Sequence, residues 1–342
     1  RIALDDLRRA PKNPTPHEEL SGLFYRLSRS GEFAARYNIE DKIPGVKVVF
    51  ADKNQSVLKV CAEGGEIRAL IEKKGAEYRQ GAVKSPPEWR EFSSGKPGEL
   101  RDEPSACRKW DTPSSAPKYA TVIRPGPFSQ PAQSDGALFY DRGGEDGGIW
   151  KGEPGMEPVK IVSGNYSGPV ITPDGRWLVA IKWVTEEGKT TQLLIRHNLK
   201  NGEEFVVSLP QNIFSPWLQY VAARGMVLVG FYGESGSGYL LDPETGMVQS
   251  VKGEFRPFGN VGLRALQPTE NPNEFWAAIY DSRKQGTTIG RYDSKNFTFS
   301  PLIEVPELRL ISDDFWVDAD AGKIWITHQG QLLRLPMPAK TK

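Results

Sequence analysis

Two cysteines and three histidines in 342 residues leave this chain poor in the side chains that most often build metal centres and nucleophilic dyads. His17, His197 and His328 are scattered, and no H-E-x-x-H, C-x-x-C or phosphate-loop motif occurs. No excess of one charge is present either: 44 Lys and Arg against 43 Asp and Glu give a net charge of +1. The electrostatic footprint of a nucleic-acid-binding protein is therefore missing, and the short stretch Arg8-Arg9-Ala10-Pro11-Lys12 reads as a solvated segment. No apolar run approaches the ~18 residues that a transmembrane helix needs. Beyond the opening IALDDLRRA, no amphipathic segments of ten or more residues separate the strands, which excludes an α/β fold with crossover helices.

The chain has instead a surplus of turn formers, 35 Gly and 27 Pro, with 15 Phe and 9 Trp to fill a core. They fall into a strand–turn–strand phrase that recurs down most of the length. Its cleanest copy is GPVITPDGRWLVAIKW, residues 168–183, where two apolar runs flank Pro173-Asp174-Gly175. Cruder copies begin near Val46, Ser129, Phe214, Phe258 and Ile311. A unit repeated at this spacing cannot bury its own apolar face, so neighbouring copies must stack.

Residues 1–19 read as a short helix and a Pro-rich connector, and 20–342 as one β-domain. The run from Val46 to Gly75 reads as three strands parted by Asp52-Lys53-Asn54 and Gly64-Gly65. Residues 84–120, polar and rich in Pro and Ser, are either an insertion or a degenerate repeat. The last copy has room for only three strands. The strand-like runs at 21–37 are expected to supply its missing outer strand, removing two exposed edges together. The expected fold is all-β: a six-bladed β-propeller, with seven blades as the alternative, closed by an N-terminal strand.

Thr172-Pro173-Asp174-Gly175-Arg176 and, in part, Asp135-Gly136 resemble the repeat of the TolB-type, WD40-like β-propellers, as does LLDPETGMV at 240–248. The resemblance covers roughly 46–336 and implies an exported interaction module of the cell envelope. Its motif is structural, so it carries no catalytic residue across. The chain opens on Arg1, which fits a processed form with its leader removed, and sequons at Asn54, Asn165 and Asn296 are compatible with export. Cys61 and Cys107 could be one disulfide or two separate thiols.

Two tempting motifs have simpler readings. Asp318-Ala319-Asp320-Ala321-Gly322 echoes half a calcium loop but lacks its distant Glu, and its register is that of the turn in the last repeat. Gly233–Gly238 lacks the helix that a phosphate cradle or nucleophile elbow needs, and reads as a hairpin loop. One constellation remains. Ahead of each innermost strand stands an aromatic among small or polar residues: Phe128, Tyr166, Phe214 with Trp217, and Phe258. The last repeat carries Asp313 and Asp314 there, and Arg264 could face the channel beside them. These aromatics either wedge blades together or rim the channel mouth as a site for a protein or small-molecule ligand. The expected function is non-enzymatic binding by an exported monomer without cofactor or metal. The alternative is a hydrolase, lyase or quinone-dependent sugar dehydrogenase with its site in the channel.

Overall fold

The structure is a computed structural model. It describes residues 40, 43–73, 87–92, 96–102, 104, 121–123, 133–134, 137–144, 146–153, 156–210, 216–231, 234–259, 266–281, 286–306 and 314–338. The described residues are almost entirely β-structure in six antiparallel sheets, the blades of a β-propeller. The expected helix at the N-terminus and the strands expected at 21–37 lie outside the described residues.

The chain divides into two compact units, residues 1–102 with 318–336, and 103–317 with 337–342. In the first, β2 (Gln55–Glu63), β3 (Glu66–Lys73) and β4 (Glu88–Glu91) form a meander. Beyond β4 the bridge Arg90–Leu100 begins a fourth row, so part of the 84–120 stretch belongs to this sheet. The other sheet has the order β1–β24–β23–β22, with β1 at Lys47–Phe50, β23 at Lys323–His328 and β24 at Gln331–Pro336; β22 (Phe315–Asp318) ends at the unit boundary. An N-terminal strand does complete the last blade, but it is Lys47–Phe50, paired antiparallel with β24 from Lys47 opposite Arg334. The three strands read as one repeat from Val46 are thus split between two sheets. Sequence pattern identifies a strand, whereas its partner some 280 residues away is set by tertiary packing. Gly330, in the turn before β24, accepts a hydrogen bond on its carbonyl from Val57 N–H at 2.9 Å. A Cβ there would stand 2.8 Å from Ser56 Oγ, so the close approach calls for glycine.

In the second unit, β7 (Ala137–Arg142), β8 (Gly148–Gly152) and β9 (Val159–Ser163) follow β5 (Thr121–Val122), with β6 (Gln133–Ser134) also on β7. Three four-stranded meanders come next: β10 (Asn165–Ile171) to β13 (Glu204–Val206), β14 (Pro216–Val221) to β17 (Val248–Lys252), and β18 (Leu266–Pro268) to β21 (Thr298–Pro306). Their second strands, β11 (Trp177–Glu186), β15 (Met226–Phe231) and β19 (Glu274–Asp281), carry unbroken buried runs: Trp177–Ile181, Val227–Gly230 and Trp276–Ile279. A strand covered on both faces needs apolar residues at every position, not at alternate ones. Odd and even residues of β11 go to different clusters: Val179 and Ile181 pack with Val227 and Val229, while Leu178 and Ala180 pack with Phe139 and Ile149.

The turns expected at Ala223-Arg224-Gly225 and Asn271-Pro272-Asn273 join first to second strands. The glycine run read as a hairpin loop is instead largely strand: β16 begins at Glu234 and runs to Leu241. A Cβ at Gly238 would meet Val229 O at 3.0 Å, so here glycine serves close strand approach rather than a turn.

Gln267, on the first strand β18 and 6% exposed, makes the link from β18 to β22 with its side chain. Its Nε2 donates to Val317 O at 3.0 Å and its Oε1 accepts from Val317 N–H at 2.6 Å. Replacing it by Leu leaves a buried N–H and C=O unpaired, so Gln267→Leu is expected to lower unfolding free energy by roughly 1–3 kcal/mol. Chemical denaturation checks this; an unchanged midpoint and slope would show that the link is dispensable.

Candidate functional site

Of the eight residues singled out by sequence, Phe128, Phe214, Arg264 and Asp313 lie outside the described residues. Phe258 falls in a short helix, α1 (Arg256–Gly259), and not in an extended approach to β18. Tyr166 is the second residue of β10, Trp217 the second of β14, and Asp314 immediately precedes β22. Three successive-type positions thus recur at the same end of the first strand in three blades.

The two aromatics are half-buried and also pack between sheets. Tyr166 lies against the cluster of Phe139, Ile149 and Leu178, and its hydroxyl donates to Ser163 O at 3.1 Å. Burial, helped by the charge of Glu204, pushes its hydroxyl up to about 12. Trp217 lies across Gly230, its partner in the ladder: a Cβ at Gly230 would be 2.0 Å from the indole. It packs against the cluster of Leu228, Leu240 and Phe255.

The Pro-Asp-Gly turn is built as its residues require. Thr172 Oγ1 donates to Asp174 Oδ1 at 2.6 Å and accepts from Trp177 N–H at 3.0 Å, and Gly175 supplies φ +69°. Burial pushes the Asp174 carboxyl up, but hydrogen bonds from Thr172 and Arg176 outweigh it and hold the group below 3.8. What the sequence did not show is where the motif's last residues go. Trp177 Nε1 and Arg176 Nη2 both donate to Glu244 Oε2, at 3.0 and 2.9 Å, in the Asp242–Gly246 turn of the next blade. Arg196 lies 4.8 Å from the Trp177 ring and 4.4 Å from the Phe205 ring, and donates to Pro243 O and Glu244 O. The Arg176–Glu244 pair is half-exposed and adds little, whereas Arg196 stacked between two rings keeps both its cation–π contacts and its carbonyl partners.

The turns between third and fourth strands share one design. Asn198, Asp242 and Asp293 each accept from the backbone N–H groups two and three residues on. The fourth residue on has positive φ: Gly202 at +79°, Gly246 at +78° and, in place of glycine, Phe297 at +55°. Phe297 is 1% exposed and meets Phe255 edge-on at 5.2 Å, so core burial offsets a backbone conformation that costs roughly 1–2 kcal/mol.

His197 is the described histidine beside a carboxylate. Its Nδ1 is 3.7 Å from Glu204 Oε2, and Glu204 Oε1 accepts from Lys182 Nζ at 2.6 Å. His197 is 8% exposed and sits on β12 (Lys189–Asn198), the third strand of its blade. The imidazole is thus largely buried beside a carboxylate that stays partly exposed. Asp318–Gly322 is the turn from β22 to β23, where Asp318 Oδ1 accepts from Ala321 N–H at 3.0 Å. Among the described residues no cluster of three His, Cys, Asp or Glu side chains could hold a metal, and no helix is long and apolar enough to cross a membrane. Cys61, buried in β2, is disulfide-bonded; Cys107 lies outside the described residues.

The meander blades, the shared strand-end turns and the N-terminal strand in the last sheet define an all-β protein of the propeller class. No protein-family model and no curated protein sequence matches the chain. Similar solved structures include TolB from Acinetobacter baumannii, at 11% identity over 73% of this chain and 59% of that one, with a TM-score of 0.38. They also include a nidogen/laminin complex, at 13% identity over 76% of this chain and 83% of that one, TM-score 0.33. Streptogramin B lyase matches at 12% identity over 86% of this chain and 97% of that one, TM-score 0.30. The chain thus spans about three fifths of the TolB structure it resembles. What those proteins bind or cleave belongs to them.

Burial lowers the His197 pKa below 6.5, outweighing the pull of Glu204. The unfolded chain then binds the proton more readily, so stability rises with pH through the region just below 6.5 and falls as the pH drops through it. Unfolding curves at pH 7.5 and pH 5 are expected to show this loss, and His197→Gln to flatten it. An equal loss in the variant would assign the dependence to other groups.

Proposed function

We propose that the protein is an exported, non-enzymatic binding propeller of the cell envelope or exterior. Its ligand, a protein or a small molecule, sits where the first strands begin, at the mouth of the central channel. The observation that carries this reading is the recurrence of Tyr166, Trp217 and Asp314 at the same end of the first strand in three blades. Half-buried aromatics backed by sheet packing are pre-organised, so a ligand meeting their exposed edges pays little ordering entropy. Phe128, Phe214, Phe258, Arg264 and Asp313 belong to the same proposed rim by their positions in the repeat. The disulfide at Cys61 supports export, because such bonds persist in oxidising compartments.

The enzyme reading requires an acid–base pair or metal cluster open to substrate. In the described pair with the right chemistry, His197 is buried on the third strand while Glu204 lies on the exposed outer strand, bonded to Lys182, away from the proposed rim on the first strands. The charged turns at Arg176, Arg196 and Glu244 are committed to one another.

The test is capture of partners from envelope extracts by immobilised protein, followed by dissociation constants for the partner recovered. Tyr166→Ser and Asp314→Lys, each checked for an intact unfolding transition, are expected to weaken capture by about tenfold or more, as loss of interface anchors does. Undiminished capture by both variants would refute the rim.

A further inference from the structure

The first unit contains an open cleft of about 660 Å³ between β1 with its following connector and the face of the β2–β3–β4 sheet. It shares no residue with the proposed rim. We propose that this cleft is a second binding site, for a small organic anion with an apolar body. No residue assigned to the rim takes part, so the two readings stand or fall separately.

The cleft is shaped by an irregularity in β1. Val48 pairs with Leu333 and Phe50 with Leu332, leaving Val49 as an extra, bulged residue. A bulge re-aims side chains and frees the strand from its ladder, and this one lies on the cleft wall. Phe50 is held edge-on by Phe92, with ring centroids 5.4 Å apart and planes at 73°. Phe50, Ile71 and Pro97 offer an apolar floor of about the size of one aromatic ring or a short alkyl group.

Charge sets the ligand's sign. Lys73, Arg90 and Lys96, with Asp52 and Glu88, are the charged residues of the lining. Arg90 is already committed: Nη2 and Nε donate to Glu88 Oε2 at 2.7 and 3.3 Å, and Nη1 donates to Gly98 O at 3.2 Å. Asp52 Oδ1 accepts from Asn54 N–H at 2.6 Å in the turn that enters β2. Lys73 and Lys96 form no ion pair among the described residues. With Arg90 paired to Glu88, Lys73 and Lys96 outweigh the Asp52 carboxylate, so the charge left over is positive, carried by two flexible ammonium groups at the rim of an apolar pocket. A carboxylate or phosphate ester on an apolar body meets both requirements; a cation on the same body fails the second. Arg90 is a reserve donor, held back by Glu88.

The test uses the full chain at low ionic strength, with ligand-observed NMR titrations of benzoate, benzyl alcohol, benzylammonium and inorganic phosphate. Benzoate is expected to bind about tenfold tighter than benzyl alcohol and than phosphate, with benzylammonium weakest. The double variant Lys73→Met/Lys96→Met, with both exposed side chains keeping their apolar stems, is expected to lose about tenfold in benzoate affinity at an unchanged unfolding midpoint. Glu88→Gln frees Arg90 and is expected to tighten benzoate about threefold. Equal binding of benzoate and benzyl alcohol, or an unaffected double variant, would overturn the anion claim. Phosphate binding as tightly as benzoate would overturn the apolar half of it. Phenyl phosphate against benzoate then decides between the two head groups, the tighter probe naming the natural one.

Discussion

The constraint on which the rest depends is that the second strands β11, β15 and β19 are apolar on both faces. Leu178 and Ala180 need the preceding sheet, and Val179 and Ile181 need the following one. A blade of this kind alone in water would leave both apolar faces exposed, so each sheet's stability is borrowed from its neighbours. The strand-end turns follow from the same need. They place Trp177, Arg176 and Arg196 of one blade onto Glu244 and Pro243 of the next, fixing the spacing that the apolar faces require. Cation–π pairs also join second to third strands elsewhere, Arg291 over Trp276 at 4.8 Å and Arg334 over Trp325 at 6.0 Å, each Arg directly opposite its Trp in the ladder.

Much of this was legible in the sequence, and for physical reasons. Pro173-Asp174-Gly175 and Asp242–Gly246 are turns because their side chains hydrogen-bond their own backbone, a property that needs no tertiary context. The apolar runs flanking Pro173-Asp174-Gly175 marked the two strands that the turn joins. Long-range choices were less visible. VKVVF and QSVLKV look like consecutive strands of one sheet, yet only the second stays in it; the first crosses to β24. Phe297 hid the third copy of the Asx turn, because a bulky residue occupies the place where glycine announces the other two.

Of the candidate site, the sequence offered strand positions and not the packing around them. The turn after a first strand locates roughly where that strand begins: Tyr166 and Trp217 are the second residues of β10 and β14, and Asp314 immediately precedes β22. The inward packing of Tyr166 and Trp217 depends on residues far away in sequence, Gly164 excepted, and no local pattern announces it. The group of His197, Glu204 and Lys182 likewise arises from strand register: His197 pairs with Glu204, and neither neighbours the other in the chain. The cleft beside Val49 owes its shape to a bulge, which leaves no mark in an alternating sequence.

Native-state hydrogen exchange of the second-strand amides tests the mutual dependence of the blades most directly. If each sheet is held by its neighbours, the amides of β11, β15 and β19 exchange only through one shared opening, at free energies equal within about 1 kcal/mol. Exchange from one of these strands at a free energy several kcal/mol below the other two would show a blade that opens by itself, and would contradict the account.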